Sequence, residues 1–112
     1  MKDDRVYLLH IKECLDDIAE FVRGGRDSFL NDKLVRNATL RSLQILAESA
    51  TRLSNDIKTH HPEIPWRKIH GFRNILVHDY LGLDYESVWL VIETSLPQLG
   101  SVVRKLLSFA KK

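Results

Sequence analysis

A chain of 112 residues with 44% hydrophobic and 29% charged content is sized for one domain, residues 1–112, with one modest core, and is not a disordered tail. Its 17 basic and 15 acidic residues leave a net charge of +2, too little for nucleic-acid binding by bulk electrostatics, so any such contact must be local or built by an oligomer. A single cysteine, Cys14, excludes an internal disulfide and fits a reducing compartment, and no apolar run approaches the roughly 20 residues of a membrane span.

Helical spacing dominates from the start. The charged run Met1-Lys2-Asp3-Asp4-Arg5 leads into an amphipathic helix, not a signal peptide, so a cytoplasmic location is expected. Leu8, Ile11, Leu15, Ile18 and Val22 step by three and four, which predicts helix one over about residues 4–23. Gly24-Gly25 stops it, and Asp27 and Asn31 or Asp32 are capping candidates for the next helical segment. Helix two is predicted to be long, since Leu40, Leu43, Ala47, Ala50, Leu53 and Ile57 share one face. His60-His61-Pro62 ends it, because the residue before proline avoids helical geometry. Pro65 suits the first turn of helix three, which carries on to about Tyr80–Gly82. Asp84 caps helix four, whose stripe is Val88, Ile92, Ser95, Leu99, Val102 and Leu106, with a kink or break near Ser95 imposed by Pro97. The sum is an all-α, up-and-down bundle of four to five helices.

Helix three holds the anomaly. Trp66, Ile69, Leu76, Val77 and Tyr80 fall within one stripe, and Arg73 lies in its middle. A guanidinium on an apolar face is costly unless paired or facing a polar cavity. At about 100° per residue Arg73 and His78 are about 140° apart, whereas Arg73 and Tyr80 share a face. One protomer would thus make a thin active site. A two-fold axis along helix three would bring two arginines and two histidines into one cleft. Such a cleft suits RNA cleavage, because the 2′-hydroxyl is the nucleophile. The reaction needs a base with a near-neutral pKa and cations for the developing phosphorane charge, without metal. Arg67, Lys68 and His70 add positive potential just upstream.

Simpler readings stand beside this one. Arg73 could be a structural ion pair with Glu48, although Glu48 also sits four residues from Arg52. His78 could be a helix-end cap. His60-His61 with Asp56 can be drawn as a metal site, but no further ligand completes the set, and a frayed, solvated helix end fits better. Cys14 reads as a small core residue, and Trp66 and Trp89 as packing residues. No glycine-rich phosphate loop and no ligand set calls for a cofactor or a metal.

The arrangement of arginine, four residues, histidine, one residue, tyrosine resembles the motif of HepT-like toxins in the HEPN superfamily of ribonucleases. Arg73, His78 and Tyr80 occupy its three positions, with Asn74 and Asp79 beside them. The likeness extends to His61-Pro62-Glu63-Ile64-Pro65-Trp66-Arg67-Lys68-Ile69 ahead of the motif and to Ala47-Glu48-Ser49-Ala50 with Arg52-Leu53-Ser54 on helix two. Asp84-Tyr85-Glu86-Ser87-Val88-Trp89 and Leu96-Pro97 continue it, so it covers roughly residues 3 to 110. It implies a homodimer around the motif helix and metal-independent endoribonuclease activity. It also implies the toxin half of a type VII-like toxin–antitoxin pair. The implied antitoxin is a minimal nucleotidyltransferase (MntA-like) that transfers AMP to Tyr80. In that scheme His78 moves protons, Arg73 binds phosphate and the transition state, and Asn74, Asp79, Glu48 and Arg41 support the cleft. The alternative is a non-catalytic helical partner that presents nucleotide or substrate to a nucleotidyltransferase.

Overall fold

Apolar residues at helical spacing collapse onto one another along the whole chain. The computed structural model describes residues 2–110. Met1, Lys111 and Lys112 lie outside the described residues, as do the side chains of Lys2 and Asp3 in the charged start and of Ala110. Among the described residues there are seven α-helices and no strand: α1 (Lys2–Phe21), α2 (Gly25–Asn31), α3 (Lys33–Thr51), α4 (Asn55–His60), α5 (Trp66–His78), α6 (Tyr85–Thr94) and α7 (Leu96–Ala110). A 3-10 turn, Tyr80–Gly82, joins α5 to α6. α3 packs along both α1 and α5, and α7 closes on α1, so α1, α3, α5 and the α6–α7 column form the expected bundle. Its core includes Leu8, Ile11, Ile18, Phe29, Leu40, Leu43, Leu76 and Val103, all nearly or fully buried. Cys14 belongs to it too. Burial pushes its thiol up to about 11, with Asp17 and Glu13 adding to the effect.

Caps mark most of the expected boundaries. Asp32 accepts from the amides of Leu34 and Val35 at the head of α3. Asp84 accepts from the Glu86 amide and the Ser87 hydroxyl at the head of α6. The break at Ser95 lies where Pro97 requires it, with proline in the first turn of α7, where a missing N–H leaves no gap.

Two local features differ from the sequence reading. The long second helix stops at Thr51 and restarts at Asn55. Ser54 makes the break. Its hydroxyl accepts from the Ile57 amide at 3.3 Å and so caps α4. Asp4 holds Ser54 from the far end of α1: the Ser54 amide donates to Asp4 Oδ1 at 2.8 Å and its hydroxyl to Oδ2 at 2.7 Å. The second feature is α2, which is too short to show periodicity. The chain leaves α1 through Gly25, whose φ of 85° is open to glycine, and α2 then buries Phe29 completely.

Candidate active site

α5 starts against an anchored tryptophan. Pro65 precedes it, and the Trp66 indole donates to the His61 carbonyl at 2.9 Å. Its inward face is Trp66, Ile69, Phe72 and Leu76, of which Leu76 is fully buried. Val77 and Tyr80, assigned to that stripe from spacing, are instead exposed. The packed arc is therefore centred nearer Phe72 and Leu76, and Arg73 sits at its edge, where α5 meets α3.

There Arg73 is paired rather than stranded. Its Nε donates to Glu48 Oε1 at 2.7 Å, and its Nη1 donates to Asn74 Oδ1 at 3.0 Å. The side chain is 27% exposed, so the guanidinium is fixed on one side and open on another. The other oxygen of Glu48 accepts from Arg52 Nε at 3.3 Å. Glu48 thus serves both arginines at once. The Arg73 hydrogen bond holds its carboxyl below the usual carboxylate range against the opposing effect of burial, and Arg52 adds to the lowering.

The rest of the motif does not continue the helix. His78 is the last residue of α5. It is exposed and makes no side-chain hydrogen bond among the described residues. Asp79 leaves helical geometry at φ −138° and ψ 45°, while its amide still donates to the Ile75 carbonyl. Its carboxylate lies over Gly82, where a Cβ would come within 2.7 Å of it, so a side chain at that position would push the carboxylate aside. Tyr80 consequently stands on the 3-10 turn. The expectation that it shares a helix face with Arg73 is corrected, because that spacing assumed two more helical residues. The Tyr80 hydroxyl reaches across to α3 and donates to Asn37 Oδ1 at 3.4 Å.

α3 therefore carries the supporting residues. Glu48 touches Arg73 directly. Arg41 does not: it is exposed, forms no ion pair among the described residues, and lines a groove between α1 and α3 together with Glu48. Asn37 and Arg52 were not singled out by the motif. The helical spacing Asn37, Arg41, Glu48, Arg52 along one flank of α3 was their signal. His60 and His61 do not converge on an ion site: the His60 ring lies 2.8 Å from the Asp56 carbonyl, and the His61 ring lies 3.2 Å from Glu63.

One half-fixed cation, one exposed imidazole and one exposed phenol thus lie along the C-terminal half of α5 and the turn after it, with Arg73 held at Glu48 and Tyr80 at Asn37 of α3. These groups can grip a phosphate, transfer a proton and accept a covalent group. A family model described as "Ribonuclease HepT-like" matches residues 11–106. "Probable ribonuclease HepT" of Thermococcus cleftensis is 38% identical over 101 residues, covering 89% of this chain and 92% of that protein. "Putative RNase MJ1380" of Methanocaldococcus jannaschii is 33% identical over 103 residues, covering 91% of this chain and 94% of that one. "Putative RNase TTE0752" of Caldanaerobacter subterraneus subsp. tengcongensis is 33% identical over 112 residues, covering 99% and 100%. No solved structure gives a significant match.

Proposed function

The chain belongs to the HepT-like family, and from that membership we propose a metal-independent endoribonuclease whose active site is shared by two copies of the chain. The observation that carries this reading is Arg73. Glu48 and Asn74 fix one side of its guanidinium and leave its remaining N–H donors uncommitted, one helix end away from an unpartnered His78. That is how a preorganised phosphate ligand is built.

In the shared cleft one His78 imidazole takes the proton of the ribose 2′-hydroxyl. The 2′-oxygen attacks the adjacent phosphorus. The bond from phosphorus to the 5′-oxygen breaks, leaving a 2′,3′-cyclic phosphate and a 5′-hydroxyl. The second copy's imidazole supplies the proton to the departing oxygen, and the arginines stabilise the charge that builds on the phosphorane. Ile75, Val77 and Leu81, exposed by 46, 39 and 99%, surround the motif with apolar surface that a second copy would cover.

The same reading makes the chain the toxin half of a type VII-like toxin–antitoxin pair. A cognate minimal nucleotidyltransferase would silence it by passing AMP from ATP to Tyr80: the phenolic oxygen attacks the α-phosphorus and pyrophosphate leaves. Tyr80 is accessible for this, with one long hydrogen bond to release. The added phosphate charge, two residues along the chain from His78, would exclude the RNA backbone.

The test is cleavage of single-stranded RNA by the purified chain, with and without EDTA. His78→Ala should abolish cleavage and EDTA should not. Equal activity in the mutant, or only monomers by light scattering at micromolar concentration, would overturn the shared-site mechanism.

A further inference from the structure

Glu48 has a second side. Arg73 lies on one flank of it, and on the other a groove of about 360 Å³ runs between α1 and α3. Arg41 of α3 and Arg52, which caps the end of that helix, stand about 16 Å apart along its length. Tyr7 and His10 from α1 line its other wall, with ring centroids 6.3 Å apart and planes at 76°. Gln44 offers an amide between the two arginines, and Ile45, 38% exposed, adds an apolar surface. The Tyr7 hydroxyl, and then Glu48, favour the charged form of Arg52. Glu48, shared between Arg52 and Arg73, is the one carboxylate in the lining, and Arg41 makes no ion pair among the described residues, so the groove carries an excess of positive charge on a nearly neutral protein.

Cations at intervals, rings that a base can stack on and an amide to meet a base edge are what single-stranded nucleic acid requires. Resting on the ribonuclease reading, we propose that this groove binds nucleotides of a single-stranded RNA that flank the scissile phosphate. His10 supplies the stacking surface for a base. Arg41 and Arg52 hold backbone phosphates, and Glu48 separates this binding groove from the reacting centre. His10 and Arg41 are exposed, so substituting either does not disturb the core. The sides of α1 differ in this respect. Lys12 lies on its other flank, in a cleft against α7 with Arg5 and Arg104.

The experiment is fluorescence anisotropy with a short single-stranded RNA and the full chain carrying His78→Ala, which prevents turnover. Adding His10→Ala should weaken binding about tenfold with an unchanged salt dependence, as loss of a stacked base does. Adding Arg41→Gln should weaken it and lower the salt slope by about 1, as loss of a phosphate contact does. Lys12→Ala should leave the dissociation constant unchanged. Parental affinity in the His10 and Arg41 variants would overturn the assignment. So would an equal loss in the Lys12 variant, which would mean bulk charge alone. AMP that binds as tightly as the RNA and with the same sensitivities would also overturn it in favour of a free-nucleotide site. Cleavage by the parent chain is measured separately. If the parent cleaves and the variants bind normally, only the groove assignment falls. If the variants behave as stated and the parent does not cleave, the groove stands as an RNA site and the ribonuclease mechanism falls.

Discussion

Arg73→Ala separates an architectural arginine from a catalytic one by size of effect. In the folded chain Arg73 makes one ion pair, to Glu48 at 2.7 Å, with side-chain exposures of 27 and 33%. A pair that is neither fully solvated nor fully buried contributes about 1 kcal/mol, and the hydrogen bond to Asn74 adds about 0.5 to 1 kcal/mol. The expected loss of stability is therefore about 1.5 to 2 kcal/mol, or about 6 to 8 °C in melting temperature. For a domain that starts at about 5 kcal/mol or more, at least ~99% of the chains stay folded at room temperature. Stability alone then lowers activity by about 1% at most. Removing a donor that stabilises transition-state charge lowers the rate about 100- to 1000-fold. The assay pairs urea denaturation with RNA cleavage at 20 °C, on Arg73→Ala, Glu48→Ala and the double variant. The stability cycle should give a coupling of about 1 kcal/mol, while cleavage by Arg73→Ala falls at least ~100-fold. Cleavage that falls less than about tenfold while the pair's stability coupling appears in full would refute the catalytic assignment and leave the arginine as a fastener.

Other contacts carry expectations of their own. Asp4→Ala strands the Ser54 amide and hydroxyl and should cost about 2 to 3 kcal/mol in urea unfolding, with faster hydrogen exchange at the head of α4; unchanged stability would mean that water replaces the carboxylate. Because its thiol is pushed up to about 11, Cys14 should resist alkylation by iodoacetamide at pH 8 and react once urea unfolds the chain; rapid alkylation of the native protein would contradict its burial. With the nucleotidyltransferase and ATP, the mass of the chain should rise in AMP steps and Tyr80→Phe should block the rise; a modified phenylalanine variant would move the acceptor elsewhere.

Much of this architecture is legible in the residues because one force writes it. The stripes from Leu8 to Ile18, from Leu40 to Ala50 and from Val88 to Leu99 become core, apart from the half-buried Leu15 and Ser95. Asp32, Asp84 and Pro97 act locally, so each marks its boundary as expected. The split between α3 and α4 is hidden because the residue that holds the capping serine is Asp4, 50 positions earlier. At the candidate site, the cation within an apolar segment points to Arg73, and Glu48 emerges as its partner, one of the two pairings that spacing left open. Tyr80 is misplaced for a different reason. Periodicity assumes that a helix continues, and the exit at Asp79 is a change of backbone angle that no stripe records. The α1–α3 groove is invisible to a one-dimensional pattern, since Tyr7 and His10 meet Arg41 and Arg52 only after two helices pack.

α3 works as a ruler. Glu48 grips Arg73 near one end of its span and Asn37 touches Tyr80 near the other, about 16 Å apart along a single rod. Both contacts are thereby set by one shared register. A one-residue insertion between those two marks would swing one of them about 100° around the axis. Either the arginine loses its grip or the phenol loses its post, even if every apolar contact elsewhere is rebuilt.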